Sequence, residues 1–379
     1  MKVIHLIKTG HGSTWAQRQL AALRDHDLEL EVLLAEDGPM RARYEDLGIR
    51  TAVIPSDFGR FRSPIEFARA ARAYRAFVRE RKPDILHAHS VGGAMFARTA
   101  GRYLHVPRIF QVPGPLHLEH ALPALAETIT ADRDDWWLAT CEATRQHYLG
   151  RGVAADRVGL NYYGIELDKV VSGNGTGVRN ELGIGRGTAL IAMVALFYAP
   201  KKWLGQRRGL KGHEDLVDAA ALLLAEGRDV RVAFVGSAWG DAAWYEAQVQ
   251  AYARERLGDH VHFLGFRRDV PDIYAGADVA VHASHSENLG GTAESIMGGA
   301  PTVASRVGGH PDVVADGETG YLFEARDPGK LADALRRALD DRDRSRAMVA
   351  EGQRRITERF NVERTAAELF DFYKAVRAA

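Results

Sequence analysis

The chain has 379 residues, 50 of them basic and 50 acidic, for a formal charge of zero, which gives no electrostatic ground for a nucleic acid or other polyanionic partner. A single cysteine, Cys141, excludes a disulfide framework and a thiolate metal site, and no run approaches the ~20 apolar residues of a membrane span. This length suits two domains with cores of their own, and the opening MKVIHLIKTGHG reads as a first core strand instead of a signal peptide, so the expectation is a soluble, cytoplasmic protein.

From Met1 to about Asp168, short apolar strands alternate with helices. Strands are expected at Lys2–Ile7, Leu30–Ala35, Thr51–Ile54, Ile85–His89, Arg108–Val112 and Trp137–Thr140. Gly10, Gly12 and Ser13 follow the first strand and open a helix, but Trp15 stands where a dinucleotide fingerprint has its third glycine. The helix Pro64–Lys82 sets Arg69, Arg72, Arg75 and Arg79 opposite Phe67, Tyr74 and Phe77. A solvated face is the plainer reading there than contact with an anionic membrane. Pro83-Asp84 stops that helix and admits a strand.

Residues 169–187 hold six glycines and little apolar content, the composition of a linker, with one helical turn at Val178–Leu182. A second series follows, with strands at Thr188–Leu196, Val230–Val235, Val261–Leu264, Asp278–Ala283 and Pro301–Ala304. Helices fit Gly212–Glu226, Asp241–Leu257, Thr292–Met297, Pro328–Asp340 and the final stretch 358–379. The expected fold is α/β: two Rossmann-like, doubly wound domains over 1–170 and 171–357, with a ligand cleft between the carboxyl ends of their sheets.

The most informative segment is Ser284 to Ser305, SHSENLGGTAESIMGGAPTVAS. Glu287 and Glu294 stand on either side of Gly290-Gly291, between a strand and a helix. Such a turn presents backbone N–H groups to a phosphate. A carboxylate one turn into the helix suits a partner rich in hydroxyls, and phosphate plus sugar reads as a nucleotide-sugar. The bland reading is a capping box and a surface glutamate.

This segment resembles the signature of retaining glycosyltransferases of family 4, which have the two-Rossmann GT-B fold. Gly299-Ala300-Pro301-Thr302-Val303-Ala304 matches, although six residues separate the glutamates where the family has seven. The resemblance implies that Glu287, with Asn288, Leu289, Gly290 and Gly291, binds the donor sugar, and that Glu294 binds the ribose. Gly209-Leu210-Lys211-Gly212 resembles the motif whose lysine grips the diphosphate, so Lys211 is a catalytic candidate. The family's arginine position reads Ala195-Leu196, an insertion Phe197–Arg208 follows, and Arg207 or Arg208 is the candidate replacement beside Lys201 and Lys202, for which a solvated loop is the plain reading. Gly265, Phe266 and Arg267 fall in a segment similar to one that holds the base through its backbone. Ser305–Asp312, Gly317–Leu322 and Arg359–Tyr373 also resemble family segments, and imply that the last helix, 358–379, crosses back to the first domain.

In the first half, Pro83–His89 resembles a family strand in which His89 would face the cleft as a catalytic group; packing within the core is the equal alternative for His87 and His89. Gly12 is a place for the diphosphate. Pro113 stands at the family's usual histidine, so His117 is the candidate to touch the sugar, with Glu119 beside the acceptor. His11 and His147 read as surface histidines. No Asp-x-Asp sits at a loop with a metal-binding look, and no metal or other cofactor is expected.

The activity implied by the resemblance is hexosyl transfer with retention, from a nucleoside diphosphate sugar to a hydroxyl of a small molecule or saccharide. Uridine diphosphate is the commonest family donor. The segment Tyr198–Lys202 is similar to one in aminoglycoside-pathway enzymes. The alternatives are a phosphorylase or epimerase of the same fold, and a nucleotide-sugar sensor without turnover. A nicotinamide oxidoreductase lacks its glycine fingerprint.

Overall fold

Short runs of valine, isoleucine, leucine and alanine, most of them followed by a helix, build two separate parallel sheets. The computed structural model describes residues 1–167, 173–185 and 187–379; residues 168–172 and 186 of the expected linker lie outside these. The first sheet comprises β1 (Lys2–Ile7), β2 (Glu29–Leu34), β3 (Arg50–Val53), β4 (Ile85–Ala88), β5 (Arg108–Phe110), β6 (Asp135–Ala139) and β7 (Val158–Leu160). The second comprises β8 (Ala189–Val194), β9 (Val230–Val235), β10 (Val261–Phe263), β11 (Val279–His282), β12 (Thr302–Ser305) and β13 (Tyr321–Phe323). Their orders are β3-β2-β1-β4-β5-β6-β7 and β10-β9-β8-β11-β12-β13. Both are doubly wound, with the reversal of direction between β1 and β4 in one and between β8 and β11 in the other. Ligands in such sheets bind beyond the carboxyl ends of the strands at that reversal.

Two units result: Met1–Glu166 with Arg359–Ala379, and Leu167–Glu358. In the first, the helix Val362–Ala378 buries Leu369, Tyr373 and Val376 in the same apolar cluster as Val3, Leu20 and Val32. Each such side chain contributes about 1.5–3 kcal/mol. Asn361 caps this helix by accepting from the N–H groups of Glu363 and Arg364 at 2.8 and 3.1 Å. Gly159 on β7 leaves room for the Phe372 ring, which an added Cβ would meet at 2.7 Å.

The second core gathers Ile191, Val232, Phe234, Val279, Val281 and Val303 from the sheet with Leu216, Leu223, Val249 and Leu335 from the helices His213–Ala225, Ala243–Leu257 and Pro328–Asp340. Several elements exceed the sequence expectation, among them two strands and one long helix. Strands β7 and β13 have three residues each, too few for an alternation to register. The helix Arg342–Arg359 is charged on nearly every side and buries only Ser345, Met348, Val349, Gly352 and Ile356. No helix among the described residues is long and apolar enough to cross a membrane.

Candidate functional site

At the β8/β11 reversal, a cavity of 390 Å³ opens at the carboxyl ends of the strands. Lys211, Glu287, Gly290, Gly291 and Glu294 all line it, as do Phe266 and Arg267. Two glycines explain how residues from distant loops meet there. Gly212 (φ 72°) passes so close to the end of β11 that a Cβ would lie 2.1 Å from the Ala283 carbonyl oxygen. Gly308 (φ 51°) sits where a Cβ would lie 1.7 Å from the Glu287 carbonyl oxygen. Any larger residue at either place would need backbone to move. Backbone bonds complete the clamp: His285 donates to the Leu210 carbonyl at 2.8 Å, and Gly309 to that of Asn288 at 2.9 Å.

Lys211 and Glu287 are thereby held as an ion pair. The Glu287 carboxylate also accepts from the Ser284 hydroxyl at 3.0 Å and the Asn288 N–H at 3.1 Å. Burial pushes its pKa up, but the Lys211 ammonium and these bonds outweigh burial and hold it down to about 2. It is a fixed anion that accepts hydrogen bonds. Glu294 lies in the first turn of the helix Thr292–Met297 and is exposed to the cavity.

Below the helix, Ser295 bonds His282 and Thr302, each at 2.9 Å. Burial lowers the pKa of His282 to about 3 and His310 adds to the shift, so the ring is neutral; it lines the cavity floor. Tyr274 also lines the cavity, and its hydroxyl is buried without a hydrogen-bond partner. Tyr198 forms another wall, its ring 5.7 Å from the Lys211 ammonium. Sequence reasoning assigns no site role to Tyr198, Tyr274 and His282. Tyr198 stands out only for its segment's likeness to other enzymes, and Tyr274 lies in the helix Val270–Gly276. Of the three, only His282, at the end of β11, stands where a strand end could have pointed to it.

The remaining expected residues are placed as follows. Asn288 and Leu289 belong to the clamped loop but do not line the cavity; the Asn288 side-chain oxygen is buried without a partner. The Gly265 carbonyl accepts from the Gly236 N–H at 2.8 Å, and Gly236 is the one of the two at the cavity wall. Phe266 stands exposed at the rim. Arg267 has its guanidinium forked onto Glu181 and Asp269 at 2.7–2.9 Å, so its charge is already neutralised.

Arg208 lies apart from these residues. It bridges Asp215 and Asp218 at 2.6 Å each, and with Arg207 lines a different depression. Its two carboxylates come from one face of the helix His213–Ala225, which draws the guanidinium onto that helix instead of into the cavity. Asp215 in turn binds His285 at 2.6 Å, so this network secures the Lys211 loop to the Glu287 loop.

For His89 the structure gives the core alternative. It is buried at 3 % exposure, with Nε2 bonded to His5 Nδ1 at 2.9 Å and Nδ1 to the Tyr163 hydroxyl at 3.1 Å. Burial holds His5, His87 and His89 well below the ordinary imidazole pKa. These three form the only cluster with metal-ligand spacing among the described residues, and it is sealed in the core. His117 in the same unit pairs with the buried Glu127 at 2.8 Å, and Glu127 also accepts from Tyr148 at 2.9 Å. Its Nε2 is therefore engaged within its own unit. Glu119 is exposed two residues on, and Gly12 (φ 78°) lies exposed in the turn after β1.

Known proteins share this architecture. Residues 203–355 match the family described as glycosyl transferases group 1, and residues 11–164 match the glycosyl transferase 4-like domain. The D-inositol 3-phosphate glycosyltransferase of Nocardia farcinica is 32 % identical over 65 % of this chain and 54 % of its own length. Its counterpart in Thermomonospora curvata is 29 % identical over 78 % and 72 %. The chain spans about half the length of the first curated relatives it matches. Among solved structures, Anabaena HepE in complex with UDP-glucose superposes with a TM-score of 0.81 at 20 % identity, covering 99 % of this chain and 100 % of that one. Sucrose-phosphate synthase from Thermosynechococcus elongatus gives 0.78 at 20 %, covering 100 % and 99 %. At such identity the structural likeness speaks for the fold.

Proposed function

This chain belongs to the glycosyl transferases group 1 family, a family of glycosyltransferase enzymes with the GT-B fold, and we propose that it moves a hexosyl group from a uridine diphosphate sugar to an acceptor hydroxyl with retention of anomeric configuration. The observation that carries this reading is the meeting of Lys211, Glu287 and Glu294 around one cavity at the β8/β11 reversal. HepE binds UDP-glucose according to its structure, and that supports the choice of donor.

Lys211 stabilises the negative charge that grows on the leaving diphosphate, a contribution on the scale of about 10²-fold or more in rate. An arriving diphosphate competes for the ammonium, and the carboxylate of Glu287 then accepts from donor-sugar hydroxyls. Glu294 binds the ribose, and the unpartnered Tyr274 hydroxyl is placed to donate to the ligand. With Glu287 engaged at both oxygens, it acts as a ligand of the sugar and not as a nucleophile. Positioning and fixed charge supply the catalysis, with the departing phosphate assisting deprotonation of the acceptor. No divalent ion enters this scheme.

The acceptor class is a saccharide or a polyhydroxylated small molecule; the curated relatives named for inositol 3-phosphate put cyclitols in the test set. Incubation with UDP-glucose and a set of sugars and cyclitols, followed by NMR of the products, tests the proposal. The expected result is UDP release with formation of an α-glycoside. Intact donor throughout would instead support a sensor, and sugar phosphate formed in phosphate buffer a phosphorylase.

A further inference from the structure

The insertion Phe197–Arg208 and the loop after β9 together form a second concave surface that the donor site does not use. It is a depression of 640 Å³. Three tryptophans line it, and all are exposed: Trp203 by 76 %, Trp239 by 56 % and Trp244 by 54 %. Large aromatic faces left open to water in one place mark a binding surface. We propose that this depression binds the saccharide chain of the acceptor by stacking sugar rings on the tryptophans; the assignment rests on the glycosyltransferase reading above.

Rigidity is the first argument. Phe197 and Ala238 form a parallel bridge; the Phe197 N–H bonds Ser237 at 3.0 Å and the Trp239 N–H bonds Phe197 at 3.1 Å. The Ala238 N–H donates to the Glu246 carboxylate at 2.7 Å. The insertion is closed on itself by Lys201 N–H to the Gln206 side chain at 2.9 Å and Gly205 N–H to Lys202 at 2.9 Å. Flat rings on a fixed backbone bind a flat ligand with little ordering cost.

Continuity is the second. Tyr198 lines both this depression and the donor cavity, with its ring 5.7 Å from Trp239 and 5.7 Å from the Lys211 ammonium. A chain lying across the tryptophans therefore ends beside the diphosphate-binding lysine.

Chemistry and shape select the occupant. Tryptophan faces cover the C–H faces of pyranose rings, while Lys201, Lys202 and Asp241 at the edge offer donors and acceptors to hydroxyls. A membrane surface is the competing occupant, since tryptophan and lysine both favour lipid interfaces. Insertion into lipid requires a projecting apolar edge, however, and this surface is hollow.

The full chain and the Trp239→Ala and Trp203→Ala variants are titrated by calorimetry with maltohexaose, cellohexaose and chitohexaose, and separately with UDP-glucose. At least one hexasaccharide is expected to bind the unsubstituted chain with a Kd of about 1 mM or tighter. Its affinity should fall about tenfold in each variant, with UDP-glucose affinity unchanged. Absence of saccharide binding, or equal binding by all three proteins, overturns the inference. So does binding to phosphatidylcholine–phosphatidylglycerol vesicles that the variants lose, without any saccharide binding. Saccharide binding as expected alongside no UDP-glucose binding would support the subsite and count against the donor reading alone.

Discussion

Each of the two sheets sets titratable side chains at or just beyond its two central strands, and the two sets have opposite fates. In the first unit, His5 of β1 and His87 of β4 are register partners, and His89 follows just past the end of β4. All three are covered by tyrosine and tryptophan rings, among them Tyr373, Tyr163 and Trp15. Burial drives them neutral, His5 to a pKa of about 3. In the second unit, Lys211 and Glu287 follow the corresponding strands, and their side chains remain 18 % and 14 % exposed to a cavity. There the paired charge overrides burial and keeps the carboxylate ionised. A polar residue at a strand end is thus no indicator of a site. An opposite charge, and an opening that a ligand can enter, make the difference.

The largest expected effect is at Lys211. Lys211→Ala should lower kcat by about 10²-fold or more with UDP-glucose, measured by steady-state UDP release. An unchanged rate would place the lysine outside the reaction.

The pH dependence of stability separates the two sets more finely. A histidine whose folded pKa is lowered binds its proton mainly in the unfolded chain, so its contribution is full above pH 6.5 and is lost on acidification toward the folded value. For His5 that window runs from 6.5 down to about 3. For Glu287, also lowered, the contribution is full above 4.5 and is lost as pH falls toward about 2. Each can change the slope of stability by up to about 1.4 kcal/mol per pH unit within its window. Urea denaturation from pH 7 to 3 should therefore show His5→Phe flattening the curve already between 6.5 and 4.5, while Glu287→Gln flattens it only below 4.5. Identical curves for the two variants would erase the contrast.

Glu294→Ala should raise the donor KM about tenfold, the scale of one hydrogen bond to a charged group, with a smaller change in kcat. The smallest effect is expected for Arg208→Ala. Its guanidinium is bound to Asp215 and Asp218, and Asp215 keeps His285, so kcat/KM should stay within about threefold of the unsubstituted chain. A loss near that of Lys211→Ala would return Arg208 to the diphosphate.

Much of this was legible beforehand. The doubly wound α/β character follows from alternating strands and helices, and Gly290-Gly291 marks a turn that presents backbone N–H groups beside Glu287 and Glu294. The pairing of Lys211 with Glu287 was not, since it depends on Gly212 and Gly308 each admitting a carbonyl from another loop. The strand motif leaves His89 open between cleft and core, because it does not reveal which side chains a helix will cover. The place of Arg208 is not legible in the motif, because its partners lie seven and ten residues on, in the helix His213–Ala225. The tryptophan depression combines an insertion with a loop about forty residues later, so no local pattern contains it.

The most direct test of the donor site is a crystal structure of the full chain with UDP. The account predicts the diphosphate between Lys211 and the Gly290–Gly291 bend, with the ribose hydroxyls on Glu294. Nucleotide bound elsewhere, with Lys211 still closed on Glu287, would contradict it.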